Sequence, residues 1–182
     1  MARLMLRLLT LLVVAVVVGW PGAARAAEGQ WHVGAGLGAA TFSGTGSGFG
    51  PALGLQGAYE LTDMFDLHLE LSASQHELAP ATSTRFYGAS AGAVYKVDVI
   101  EWVPYFGLYA GVYRFDGEVI PTPLKQTELG IAVPLGLDYS FSRSFAVGVQ
   151  LRYHGFLSDP MSSLGDAPYF LGLLRAEYRP GW

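Results

Sequence analysis

The 182-residue chain contains no cysteine. A disulfide framework, thiol catalysis and cysteine-based metal centres are therefore excluded. Basic residues are also sparse, 11 Lys and Arg against 15 Asp and Glu, and they form no cluster. The concentrated positive surface that nucleic acid calls for is missing. Beyond residue 26 the chain lacks any apolar run approaching the ~20 residues a spanning helix needs. Yet 51% of the chain is hydrophobic, so that apolar material must be arranged in another way.

The one sustained apolar run covers residues 8–19, broken only by Thr10. Arg3 and Arg7 precede it, Pro21 and Gly22 stop it, and Ala24-Arg25-Ala26 supplies small residues. This layout predicts a secretory signal peptide, residues 1–26, cleaved after Ala26. Residues 27–182 then form a single domain. Arg3, Arg7 and Arg25 leave with the leader, so the remainder is more acidic than the whole chain at −4.

What is present is strict alternation. In Phe65-Asp66-Leu67-His68-Leu69-Glu70-Leu71-Ser72, every second residue is apolar. Successive strand side chains point to opposite faces, so Phe65, Leu67, Leu69 and Leu71 share one surface and Asp66, His68 and Glu70 the other. The two-faced pattern recurs, and it predicts strands at residues 31–42, 51–61, 64–74, 85–97, 103–115, 127–139, 145–156 and 169–179. Eight such segments read as an all-β fold, an eight-stranded antiparallel up-and-down transmembrane β-barrel with lipid outside and polar groups inside.

The gaps support this separately. They run long, short, long, short, long, short, long, at residues 43–50, 62–63, 75–84, 98–102, 116–126, 140–144 and 157–168. Bacterial barrels have short periplasmic turns and longer external loops, which puts both termini in the periplasm. The long gaps carry glycine, serine and proline, as in Ser43-Gly44-Thr45-Gly46-Ser47-Gly48, Ala79-Pro80 and Pro121-Thr122-Pro123, and read as loops.

Aromatic side chains fall near the predicted strand ends. Trp31, Tyr59, Tyr95, Tyr105, Tyr139, Phe145 and Tyr178 mark the periplasmic side; Tyr87, Tyr113, Phe115 and Tyr153 mark the external side. Such residues form girdles at the membrane boundaries. The fifth strand is ambiguous because both faces are apolar. Placing Tyr105, Tyr109, Tyr113 and Phe115 outward turns Arg114 inward, and leaves Phe106, Leu108 and Val112 on the inner wall. Pro134, inside the sixth strand, cannot donate to the ladder and predicts a bulge or local gap.

An eight-stranded barrel is just wide enough for side chains to fill its interior. The inward set is Gln56, Glu60, Asp66, His68, Glu70, Lys96, Arg114, Asp138, Gln150, Arg152, His154, Arg175 and Glu177. Buried charges must be paired and hydrogen-bonded. Counting from the periplasmic ends groups Glu70, Arg152 and Arg175 at mid-height. Glu60, Asp66, Lys96 and Asp138 fall in a lower layer. The expectation is an ion-pair network of Glu60, Asp66, His68, Glu70, Lys96, Asp138, Arg152, Arg175 and Glu177 that closes the lumen. Asp66, His68 and Glu70 share a face as metal ligands would, but with Lys and Arg opposite them ion pairing is the stronger reading. No metal or cofactor is expected.

Three alternatives bear on function. A narrow porin would keep the lumen open to ions or small solutes. A lipid-modifying enzyme of the outer membrane needs a serine beside a histidine base; the nearest pairing is His154 with Ser158, and the His-x-Ser-Asn deacylase pattern is absent. A soluble lipocalin-like barrel would invert the two faces, against the small residues that accompany the charges here.

Two passages add a resemblance. Tyr95-Lys96-Val97-Asp98-Val99-Ile100-Glu101-Trp102-Val103-Pro104-Tyr105 is similar to the turn between the fourth and fifth strands of the small outer-membrane barrel family that includes the OmpA transmembrane domain and OmpX. Gly136-Leu137-Asp138-Tyr139-Ser140-Phe141-Ser142-Arg143, followed by Arg152-Tyr153-His154, resembles their third turn and seventh strand. Leu174, Ala176, Tyr178 and Trp182 share one face, in the parity of the C-terminal signal read by the barrel-assembly machinery, with Pro180 and Gly181 interrupting it. The resemblance implies a monomeric barrel in a Gram-negative outer membrane. Outer-membrane lipid and, during insertion, the assembly machinery are its implied partners, and its role is structural or interaction-based. No catalytic residue is implied. The cell-wall-binding domain that follows the barrel in OmpA has no counterpart after the eighth strand, so tethering is not expected.

Overall fold

The structure, a computed structural model, describes residues 29–43, 49–79, 82–97, 101–117, 124–157 and 168–180. The leader at residues 1–26, the glycine-rich stretch 44–48, Pro80, Pro121, Pro123, Ser158 and Trp182 lie outside the described residues.

Eight strands follow one another in chain order: β1 (Trp31–Phe42), β2 (Gly50–Thr62), β3 (Phe65–Ala79), β4 (Thr82–Lys96), β5 (Trp102–Gly117), β6 (Leu124–Ser140), β7 (Phe145–Phe156) and β8 (Tyr169–Tyr178). Each pairs antiparallel with the next, and β8 returns to β1, so the sheet closes and leaves no free edge strand. Closure matters in hydrocarbon, where an unpaired backbone amide would find no water.

The alternation in the sequence becomes the two faces of the wall. Leu69 is 61% exposed, while its neighbours His68 and Glu70 are 6% and 2% exposed. Leu129, Ile131, Leu135 and Leu137 of β6 likewise face outward, and Ala132 and Asp138 inward. Outward leucines and valines on most strands, and alanines and tyrosines on β4, with charges inside, are the pattern that lipid solvation selects. Near the periplasmic ends, aromatic rings pair across neighbouring strands. Trp31 meets Tyr59 at 4.9 Å between ring centroids, Phe65 meets Tyr95 at 5.1 Å, Trp102 meets Tyr139 at 4.9 Å, and Phe145 meets Tyr178 at 4.9 Å.

Strand β5 reverses the expected facing. Tyr105, Tyr109, Tyr113 and Phe115 are buried in the lumen, at 5%, 1%, 0% and 1% exposure, whereas Phe106, Leu108 and Val112 face lipid and Arg114 is exposed. For Tyr105 and Tyr109 the cause is the phenol, whose hydroxyl meets Arg175 or His68 and Glu70, whereas Tyr113 and Phe115 pack into the aromatic stack. A tyrosine hydroxyl needs a polar partner when buried, and the charged lumen provides one, while side chains without polar atoms transfer to lipid at no such cost. Tyr105, Tyr113 and Phe115 leave the aromatic girdles, and Trp102 joins the lower one.

The second long gap is also revised. Residues 75–79 continue β3 and 82–84 begin β4, so the connection shrinks to residues 80–81. Alternation persists there with polar residues on the outside: Gln75 and Glu77 are exposed, His76 buried. Strands β3 to β6, with 15, 15, 16 and 17 residues, outreach β1, β2, β7 and β8, with 12, 13, 12 and 10. One side of the barrel thus rises above the other at the external end. Pro134 is accommodated by a local gap. The β5–β6 ladder omits two successive pairs between Phe106↔Leu135 and Tyr109↔Ala132 without changing register.

Candidate functional site

Among the described residues the polar and charged side chains concentrate in the lumen, and they fill it in layers. At the periplasmic end Lys96 Nζ, from β4, donates to Glu60 Oε1 at 2.7 Å and lies 3.2 Å from Asp66 Oδ1. Glu60 and Asp66 are directly opposite each other on β2 and β3, so one ammonium can bridge both carboxylates. Beside them Glu177 of β8 gathers four partners. Arg175 Nη2 donates to its Oε2, Arg179 Nε to its Oε1 at 2.9 Å, Gln56 Nε2 to its Oε2 at 3.0 Å, and His32 Nδ1 lies 3.4 Å away. Arg175 also donates to the Tyr105 hydroxyl at 2.5 Å and lies 3.5 Å from Asp138.

Local sequence makes room for these long side chains. In the ladders Arg175 sits between Gly36 on β1 and Gly148 on β7, and Glu177 lies across from Gly34. Glycine on the same face leaves a guanidinium space to lie flat across the wall. The void remaining among Asp66, Lys96, Tyr105, Asp138 and Arg175 is about 20 Å³, enough for one water.

At mid-height Arg152 of β7 pairs with Glu70 of β3 and donates to Gln150 Oε1 at 2.7 Å. The Tyr109 hydroxyl stands 3.1 Å from His68 Nδ1 and 3.4 Å from Glu70 Oε1. The Arg152 guanidinium carbon lies 5.8 Å from the Tyr109 ring centroid, a cation–π distance. Of the trio grouped from the sequence, Glu70 and Arg152 meet, while Arg175 belongs one layer lower with Glu177, Asp138 and Tyr105. Arg114 is not in the lumen at all.

The external half of the lumen departs most from expectation. Its core is an aromatic stack and not an ion-pair layer: Phe42, Phe86, Tyr113, Phe115 and Tyr169, with Leu171 and Leu173, all buried, and Phe156 packed against them. Glu128, buried and in register with Tyr113, is a carboxylate at this height that the expected inward set did not include. Phe86 and Tyr169 lie 4.2 Å apart between centroids, and Phe86 and Tyr113 5.7 Å. His154, expected among the polar groups, is completely buried within 5.1 Å of both the Tyr113 and Tyr169 ring centroids. A further pair escaped the sequence reading. Ser74 Oγ lies 2.8 Å from His76 Nε2 and 2.7 Å from the Tyr169 hydroxyl. A serine beside a histidine is the beginning of a nucleophilic pair, but here the hydroxyl is engaged by both neighbours within the aromatic layer, where His76 packs against Phe42 and Tyr169, and the contact anchors Tyr169. Alternate strand positions 74 and 76 were the available signal for that pair. Among the described residues no three His, Asp or Glu are arranged to hold a metal ion.

Comparison with known proteins places this geometry. The outer membrane protein beta-barrel domain family matches residues 10–167. No curated protein matches the chain. Among solved structures it is similar to Neisserial surface protein A (NspA), at 21% identity and TM-score 0.67, over 84% of this chain and 97% of that one. It is similar also to Ail, the attachment invasion locus protein of Yersinia pestis, at 18% identity and TM-score 0.60, over 84% and 99%. The same fold carries chemistry in one neighbour, the outer membrane enzyme PagL, at 18% identity and TM-score 0.50, over 81% and 98%. A closed eight-stranded barrel with a greasy exterior, matched over most of its length, resides in the cell outer membrane, and the chain belongs to the outer membrane protein beta-barrel domain family.

Proposed function

We propose that this barrel is a closed, non-catalytic element of the outer membrane that acts as a monomer from its external side, in a structural or interaction role. The observation that carries the reading is the filling of the lumen. Ion pairs occupy its periplasmic half and mid-height, and an aromatic stack occupies its external half. Buried ion pairs lose several kcal/mol when one partner is removed, so the polar layers resist transient opening. The buried polar groups of the external half, Ser74, His76, His154 and Glu128 among them, stand between packed rings instead of lining an open path. A lumen sealed twice leaves the rim and outer wall as the working surfaces. Outer-membrane lipid and, during insertion, the barrel-assembly machinery are the partners this reading requires.

The test is conductance across a planar bilayer containing the purified, folded chain. The expected record is flat apart from brief, small events. Large, steady, open-channel steps would favour a narrow porin for ions or small solutes and overturn the proposal.

A further inference from the structure

The outward face of the barrel stays apolar up to the external rim on one part of its circumference. On β7, β8 and β2 the outermost outward residues include Tyr153, Leu157, Phe170, Pro51 and Phe49. The tall side is different. There the apolar columns end in Gln75 on β3, Arg85 on β4, Arg114 on β5 and Thr127 on β6, all exposed. Arg85 and Arg114 both point outward from the wall, and they lie on adjacent strands.

Their height follows from strand geometry. Arg114 stands twelve residues beyond Trp102 of the lower aromatic girdle. At ~3.3 Å per residue and a tilt of ~40° this is roughly 30 Å along the membrane normal, just past an apolar band ~25 Å tall. The headgroups of the outer leaflet begin there. The spacing of the two arginines is equally specific. Tyr87 is directly opposite Arg114, and Asp116 directly opposite Arg85, which makes the arginines diagonal neighbours on one face, ~7–8 Å apart at the backbone. Two guanidinium forks at that separation can close on one tetrahedral anion or span two. Among the described residues neither arginine is engaged in an ion pair. Two carboxylates share this region, Asp116 directly opposite Arg85 on β5 and Glu77 diagonal to Arg85 on β3, and neither is in register with Arg114.

We propose that Arg85 and Arg114 form a binding site for the phosphorylated headgroup of an outer-leaflet lipid, on the outward face of the β4–β5 ladder just above the apolar band. Phosphate is the chemistry that a pair of guanidinium groups recognises best, through paired N–H donors. Tyr87, exposed beneath them, sits where an amphipathic ring meets the boundary between acyl chain and headgroup. The site is one-sided: the lipid's phosphates meet the tall wall while its acyl chains lie along Ala89, Val112 and Leu129 below.

The experiment is native mass spectrometry of the full, folded chain in detergent, titrated with bisphosphorylated lipid A and, in parallel, with the same glycolipid stripped of both phosphates. Wild type should bind the bisphosphorylated form at least ~10-fold more tightly, the scale of charge-assisted contacts. The R85Q/R114Q double variant should lose that preference and bind both forms alike, and R85K/R114K should keep part of it, because lysine preserves charge without the fork. Heat-modifiable gel migration should be unaltered in both variants, since neither residue touches the lumen. Equal affinity of the wild type for the two glycolipids would overturn the proposal even if no variant folded. An R85Q/R114Q chain that still prefers the phosphorylated lipid would overturn it as well.

Discussion

Tyr105 lies directly across the β5–β6 ladder from Gly136, and its ring occupies the space that a Cβ at position 136 would need. The same relation recurs along β5. Tyr109 is opposite Gly92 and Tyr113 opposite Gly88 on β4, and a Cβ at either glycine would press on the ring of its tyrosine. The inward tyrosines are thus fitted into glycine notches of the neighbouring strands, and each notch admits a ring that could not otherwise lie against the wall.

Gly136→Ala should therefore destabilise the barrel. Tyr105 cannot retreat, because Arg175 Nη1 donates to its hydroxyl and the guanidinium lies 5.0 Å from its ring centroid. Overpacking at such a site costs about 1–3 kcal/mol. Gly57→Ala is the control: a Cβ there meets nothing within 4 Å and should change stability by less than ~0.5 kcal/mol. Urea unfolding of the two variants in lipid vesicles measures the difference, and equal midpoints would remove the notch argument.

These notches also explain what the sequence disclosed and what it withheld. Alternation fixed the facing of β3, β6 and β7 because leucine or valine on one side met charge on the other. On β5 both sides are apolar, and the rule that tyrosines belong in girdles pointed the wrong way. The corrective signal was on the neighbours: Gly88, Gly92 and Gly136 stand in register with the tyrosines, which only the pairing makes visible. Charged lumen residues such as Lys96 and Glu60 were legible one by one, but which partner each takes depends on the tilt that carries one strand's side chains past the next. The aromatic stack was the least legible element. Phe42, Phe86 and Tyr169 face inward with the same residue types that elsewhere face lipid, and composition cannot separate the two solvents. The extension of β3 to Ala79 was hidden because Gln75, His76 and Glu77 read as loop until the outward face is seen to leave the membrane there.

The facing of β5 is directly testable because the chain has no cysteine and a single introduced thiol reports cleanly. A fluorophore on Leu108→Cys should be quenched by nitroxide-labelled acyl chains. The substitution Leu108→Arg, on the lipid side near the middle of the strand, should cost about 2–4 kcal/mol in vesicle unfolding. Tyr109→Phe leaves the ring and removes the hydroxyl that reaches His68 and Glu70; its expected cost is smaller, about 1 kcal/mol. A labelled Leu108→Cys that ignores lipid quenchers would return β5 to the opposite facing.

The Glu70–Arg152 pair should show the asymmetry of buried charges. Both side chains are almost fully buried, at 2% and 3% exposure. Arg152→Met leaves the Glu70 carboxylate uncompensated and should lose about 3–5 kcal/mol. Glu70→Leu combined with Arg152→Met removes both charges and fills similar volume, and should lose less than Arg152→Met alone. The comparison is made by denaturant titration of all three variants. A double variant weaker than the single one would mean that Tyr109 and Gln150 depend on both charges for their own positions.

Two seals in series make a final prediction about permeability. Phe86→Ala with Tyr169→Ala empties much of the aromatic layer, and each truncation costs about 3–5 kcal/mol, so folded protein must first be selected by its heat-modifiable migration. The bilayer record should nevertheless stay closed, because the Lys96, Glu60 and Asp66 bridge and the Arg175–Glu177 contact still occupy the periplasmic half. Truncating Arg175 and Glu177 alone should also leave it closed, with the rings above intact. Ions should pass only when the aromatic truncations are combined with loss of the Arg175–Glu177 contact, the Lys96 bridge and the Glu70–Arg152 pair, since resistance in series falls when every barrier goes. A steady current from the aromatic double variant alone would mean that the ion-pair layers are leaky and that the rings carry the whole seal.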